Sequence, residues 1–239
     1  MPGLGTIINT AAIVAGGLFG FLFGKLIKER HQETIMKTCG ISVIVLGIGG
    51  TLSKMFVIED GSLTCEKSVL MVLCLTVGAL IGECFNIEDW FERFGEWLKI
   101  KTGNAKDKTF VDAFVTASLT VCIGAMAVIG SIEDGINHDP TILITKAILD
   151  GIIIMVMTPA LGKGAVFSAI PVAVIQGLIT AGAQLIKPLM TDPALANLSL
   201  VGNVLIACIG INLLFGKQIR AANLLPSIFL AIGAAFLPF

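Results

Sequence analysis

The chain has 239 residues, 55% of them hydrophobic and only 14% charged, with a net charge of −1 and a mean hydropathy of +0.93. A soluble domain carries about 25% charged residues, so a water-facing globule of this length is excluded. The apolar residues come in blocks of roughly 16–22 separated by charged clusters, the signature of an all-α integral membrane protein.

The blocks predict a polytopic bundle of about eight transmembrane helices forming one membrane domain over 1–239. The first helix is expected at 4–25. Met1–Thr10 has no basic leader, and Lys25, Lys28 and Arg30 follow the apolar stretch, which argues for a retained span rather than a cleaved signal. Gly16, Gly20 and Gly24 repeat a GxxxG spacing that lets backbones approach closely. The stripe suits an internal contact, with a homodimer seam as the alternative. Helices 2 and 3 are expected at 35–53 and 67–84.

The connection 86–100 reads as an amphipathic helix. Ile87, Trp90, Phe91, Phe94 and Leu98 recur at helical spacing, with Glu88, Asp89, Glu92, Arg93 and Glu96 on the other faces. Trp90 and Trp97 suit a lipid headgroup region, whereas the acidic polar face suits docking onto the cytoplasmic ends of the bundle. Helix 4, at 110–132, leads into Gly130-Ser131-Ile132-Glu133-Asp134-Gly135. Adjacent carboxylates between glycines, with Gly124 upstream, suggest a helix that unwinds to expose carbonyls beside acidic groups, as in ion-coordinating broken helices. An ordinary helix end with solvated acids is the plainer alternative.

Helix 5, at 141–160, carries Asp150 near its middle and Lys146 one turn earlier. A carboxylate in hydrocarbon is costly, so Asp150 reads as a proton or cation site, as a structural partner of Lys146, or as both. Helix 6, at 165–186, holds Pro171, expected to bend it, and Gln176 at mid-span. Helix 7, at 196–215, holds Asn203 and Asn212, nine residues apart and therefore on opposed sides. These amides could line a site or bond neighbouring helices. Helix 8, at 223–239, contains Pro226. Asn9 and Asp112 are weaker candidates near span ends.

Lysine and arginine set the orientation. Twelve flank the odd-numbered loops, whereas the opposite side has only Lys54, Lys67, Lys146 and Lys187. That places the odd-numbered loops in the cytoplasm and both termini outside. An internal repeat is also suggested: Ala12–Gly16 resembles Ala173–Gly177, Lys25–Lys28 resembles Gln184–Lys187, and Val43–Ile48 resembles Val204–Gly210. Helices 1–3 would then match helices 6–8 in inverted orientation, a transporter hallmark.

No HExxH, GxSxG or GxGxxG occurs, and the two histidines, His31 and His138, lie in loops on opposite sides. The cysteines show no CxxC or metal spacing. The chain therefore reads as neither an enzyme nor a nucleic-acid binder, and no cofactor is implied. An intramembrane aspartyl pair of Asp134 and Asp150 lacks the flanking motifs. The leading expectation is a small secondary transporter whose partners are the lipid bilayer and a small solute or ion. Its site would comprise Asp150, Glu133, Asp134, Lys146, Gln176, Asn203 and Asn212. A non-transporting scaffold or sensor that docks partners on the 87–98 helix is the second expectation.

The blocks Cys122–Gly135, Lys146–Gly151, Phe167–Pro171, Gln176-Gly177 and Asn223–Pro226 resemble a bacterial membrane family of unknown function typified by YqgA (domain of unknown function number 554). The resemblance runs the whole length. It implies that the polar membrane positions belong to the family's signature blocks, and it brings no established activity.

Overall fold

The computed structural model describes residues 2–24, 29–59, 62–123 and 125–237. Lys25, Lys28 and Gly124, used in the readings above, lie outside the described residues. The chain folds into two compact units, Met1–Cys39 with Asp89–Lys187, and Gly40–Glu88 with Pro188–Phe239.

The elements run α1 (Leu4–Gly24), α2 (Glu29–Met55), β1 (Phe56–Glu59), β2 (Ser62–Cys65), α3 (Ser68–Phe85), α4 (Ile87–Lys101), α5 (Phe110–Cys122) and α6 (Ala125–Ile136). Then follow α7 (Thr141–Leu161), α8 (Ala169–Ala181), α9 (Ala183–Ile186), α10 (Asp192–Phe215) and α11 (Pro226–Ala234). Among the described residues, five helical segments are long and apolar enough to cross a bilayer, or six if α5 and α6 form one bent span. Gly40–Met55 and Ala221–Ala234 are shorter apolar helical stretches. Large apolar side chains such as Ile7, Leu18, Leu22, Val69, Leu80 and Leu178 are more than half exposed, which marks the lipid-facing surface.

In the first unit, α1 and α7 run side by side in parallel. Gly16 and Gly20 meet the carbonyls of Gly151 and Met155, and Gly24 meets Pro159, so a Cβ at Gly16 or Gly20 would overlap backbone oxygen. The glycine stripe is thus used inside the unit. The α4 helix turns Gly95 onto Val111 and Phe114 of α5, with Leu98 buried and the Phe94 and Phe114 rings 5.8 Å apart. Trp90, Trp97 and Ile100 remain exposed on its outer side. Docking and an outward aromatic face therefore coexist on one helix.

In the second unit, α2 and α10 cross where Gly47 faces Asn203 and Ala207 and Gly40 faces Gly210. The α3 helix lies antiparallel to the chain's last helix, with Gly78 against Ser227 and Gly82 against Asn223. Two short strands pair antiparallel, Phe56 opposite Cys65 and Glu59 opposite Ser62. The apolar-block pattern, which predicts helices at 35–53 and 67–84, does not predict this hairpin between them.

Three expectations need correction. The helix at 110–132 is two helices, and its break comes at Ile123 rather than at Gly130–Gly135. Gly130 and Gly135 lie within α6, where the lack of a Cβ lets them pack closely against Ile142 and Leu143 and against Thr180. Pro171 does not bend a mid-span helix: it lies in the first turn of α8, after a 3-10 segment over Lys163–Ser168. A first-turn proline has no intrahelical bond to forfeit. The last helix spans only Pro226–Ala234, and Pro226 opens it for the same reason.

Candidate functional site

The first unit assembles a buried polar layer, and its register can be built from three contacts. The Gly5 N–H at the start of α1 donates to Asp134 Oδ2 of α6 at 3.0 Å. The next residue of α6, Gly135, packs against the Thr180 carbonyl of α8. One turn along α1, Asn9 Nδ2 donates to Asp150 Oδ2 of α7 at 3.1 Å. The glycine contacts along α1 set it parallel to α7. Ser131 lies one turn before Gly135 on α6, and Gln176 one turn before Thr180 on α8.

Asp150 is 3% exposed and is held by Lys146 of the same helix face, with Nζ at 2.8 Å from Oδ1 and 2.6 Å from Oδ2. The third donor position of Lys146 is also used. Its Nζ reaches the Val121 carbonyl at 2.8 Å, across to the last turn of α5. That carbonyl lies in the last turn of α5, which stops at Cys122 with Ile123 extended. Beyond the break the axis turns by 62° into α6.

The first unit also buries polar atoms with no hydrogen-bond partner. They are Thr6 Oγ1 and Asn9 Oδ1 on α1, Ser118 Oγ on α5, Ser131 Oγ and Asp134 Oδ1 on α6, and Gln176 Oε1 and Nε2 with Thr180 Oγ1 on α8. Asn9, Asp134, Ser131 and Gln176 are all 1% exposed or less. A buried polar group without a partner forfeits about 1–3 kcal/mol. Native structures hold few such groups, and a cluster needs occupants such as ordered water or a bound solute.

The remaining sequence candidates lie elsewhere. Glu133 points off the layer and pairs with the exposed Asn137 at the end of α6. Asn203 and Asn212 belong to the second unit. Asn203 packs on Gly50 and donates to Ser199, while Asn212 binds the backbone of Gln218 and Ile219 and so shapes the turn after α10. The residues that sequence reasoning passed over are Thr6, Ser131 and Thr180. Small hydroxyls in an apolar helix normally bond their own preceding turn, as Thr158 does with Ile154, so nothing in the string distinguished them.

The second unit has its own polar knot. Asn223 Oδ1 accepts the Glu88 N–H at 2.7 Å, and Asn223 Nδ2 donates to Glu83 at 3.0 Å. Glu88 in turn accepts from the Ala222 N–H and pairs with Lys217 at 2.8 Å, and Glu83 pairs with Arg220 at 3.0 Å. Its hydrogen bonds tie the start of α4 to the turn before α11.

The comparisons with known proteins decide the kinship. The family model described as a protein of unknown function (DUF554) matches residues 4–236, nearly the whole chain. The chain belongs to this family. An uncharacterized membrane protein, YdfK of Bacillus subtilis (strain 168), is 29% identical over 224 residues, covering 94% of this chain and 92% of its own. The uncharacterized protein YqgA of Escherichia coli (strain K12) is 27% identical over 233 residues, covering 96% and 94%. No solved structure matches. Membership agrees with the resemblance carried by the signature blocks. Those blocks contain Ser131, Asp134, Lys146, Asp150 and Gln176 of the layer and Asn223 of the knot.

Proposed function

We propose that the protein is a small secondary carrier of the bacterial inner membrane, and that the buried layer of the first unit is where it meets its solute or ion. The observation that carries this reading is the set of buried side chains with unpartnered polar atoms on three helices that touch one another, Thr6 and Asn9, Ser131 and Asp134, and Gln176 and Thr180. Each pair is spaced three or four residues apart, so each helix turns one stripe inward. Polar groups buried in a membrane protein without structural partners are expensive and belong where a water-filled or solute-filled site opens.

Asp150 itself is not the open valence. It is fully engaged by Lys146 and Asn9, so the free donors and acceptors for a solute are Gln176, Ser131, Thr6, Thr180 and the second oxygen of Asp134. The Lys146–Asp150 pair serves instead as the charged element whose rearrangement would couple the site to a proton or ion. No catalytic step is proposed. Asp134 and Asp150 are claimed by different partners, the α1 backbone and Lys146, which does not favour an aspartyl pair.

Packing directions support an eight-span topology with both termini outside. Contacts set α1 parallel to α7, and set α2 against α10 and α3 against α11 in opposite directions. Each is the direction that the alternating loop charges demand. Lys146, counted among the outside cations, lies buried instead, which sharpens the charge asymmetry. The proposed repeat is also compatible with the units, since α1 and α8 share one while α2, α3, α10 and α11 from Gly40 onward share the other.

The test uses proteoliposomes on a solid-supported membrane, challenged in turn with amino acids, carboxylates, sugars and monovalent cations. One class is expected to give a charge-movement transient that Gln176→Leu and Asp150→Asn abolish. Silence across all classes would remove the carrier reading, and transients untouched by both variants would remove the buried layer as its site.

A further inference from the structure

The Lys146 ammonium has an unusual set of partners for a lysine in a membrane helix. All three of its bonds go to oxygen: both carboxylate oxygens of Asp150 and the Val121 carbonyl. Asn9 also holds Asp150, through Oδ2, and keeps an unpartnered Oδ1 of its own. The carbonyl belongs to the C-terminal end of a broken helix, where the backbone dipole carries negative charge. A half-helix C-terminus, a carboxylate and an amide oxygen together form the arrangement that holds a monovalent cation in carriers built on discontinuous helices. One carboxylate supplies one negative charge, which matches a monovalent rather than a divalent ion. The 2.6–2.8 Å spacings are those of an ion of ammonium or potassium size.

We infer that this is a monovalent-cation site filled from within, with the Lys146 ammonium as a tethered cation, so that the protein needs no free ion there. The inference rests on taking Lys146–Asp150 as the charged element of the carrier, and it goes further by naming the ion class the cage fits. Among the described residues, Asp150 is the charged group that pairs with the Lys146 ammonium. Helices α1 and α8 carry no ionisable side chain, α5 offers Cys122 and Asp112, and α6 offers Glu133 and Asp134, whose partners are given above.

The test reads thermal unfolding of the full chain in nanodiscs, in choline, sodium, potassium or ammonium chloride at one ionic strength. The wild type is expected to unfold at the same temperature in all four salts. Lys146→Ala is expected to be weakest in choline and to gain roughly 5–10 °C in saturating potassium or ammonium, as a ligand binding only the folded state would give. The double variant Lys146→Ala with Asp150→Asn, which has no charge to compensate, is expected to ignore the salts. A wild type stabilised specifically by sodium or potassium overturns the inference. So does a Lys146→Ala protein that gains nothing from any cation, whether folded or unfoldable, and so does a double variant that responds like the single one. The readout is stability alone, so absent flux in the carrier test leaves this outcome untouched, and the converse holds as well.

Discussion

Replacing Gln176 by leucine tests whether its amide is kept for function at a cost to stability. The side chain is 1% exposed, and neither its carbonyl oxygen nor its amide nitrogen has a hydrogen-bond partner. Leucine has a similar volume and no polar atoms, so the substitution removes two unmet groups without opening a large cavity. Each unmet group costs about 1–3 kcal/mol, and water entering the layer recovers part of that. The net expectation is a gain of about 1–3 kcal/mol, which for a chain of this size raises the unfolding temperature by roughly 2–12 °C. Trp90 and Trp97, both exposed, give a fluorescence signal for unfolding in detergent or nanodiscs. The same variant is expected to lose the solute-dependent transient. A stabilised but silent protein is the stability–function trade-off of a binding residue. A fall in unfolding temperature of more than about 3 °C would show that the amide holds the helices together, and the reasoning about the layer would fail with it.

Gly16→Leu drives a side chain into the Gly151 carbonyl and is expected to separate α1 from α7, with loss of the monodisperse peak in size-exclusion chromatography; Gly177→Ala, with open space around its α-carbon, is the neutral control. Asn223→Ala strips the Glu88 N–H and Glu83 of a partner and is expected to cost about 1–3 kcal/mol, read as a lower unfolding temperature and faster proteolysis at the turn before α11. Asp139, outside the spans, accepts from the Thr141 hydroxyl and N–H, and these bonds hold its carboxyl below the usual 3.8. A depressed folded value means the contribution is present above the unfolded pKa and is lost as pH falls through the folded one. Asp139→Ala is therefore expected to lower stability at neutral pH and to match the wild type in strong acid, measured by thermal unfolding against pH.

Composition and block spacing were enough to show that this is a helical membrane protein, because in hydrocarbon the backbone must satisfy itself within helices and charges must cluster at their ends. The GxxxG stripe, the outlying Asp150 with Lys146 one turn away, and the amphipathic helix with its tryptophans were all legible, since each is a local pattern of period 3.6. Even the hairpin left a trace in Asp60-Gly61 between two β-prone runs, which the apolar blocks on either side obscured. What the string could not show was any long-range partner. Lys146 pairs with Asp150 from within one helix, but that it also takes the Val121 carbonyl depends on where α5 breaks, and the glycines at 130 and 135 pointed to the wrong place. Glu133 and Asp134 are neighbours in sequence, yet 100° around a helix sends one to Asn137 and the other to the first turn of α1. Small hydroxyls and amides carry no sign of whether their bonds are met nearby, across a helix pair or not at all. Only the packing of α1, α6 and α8 leaves them unmet together, because hydrogen-bond satisfaction is a property of the neighbours a side chain acquires and not of its place in the chain.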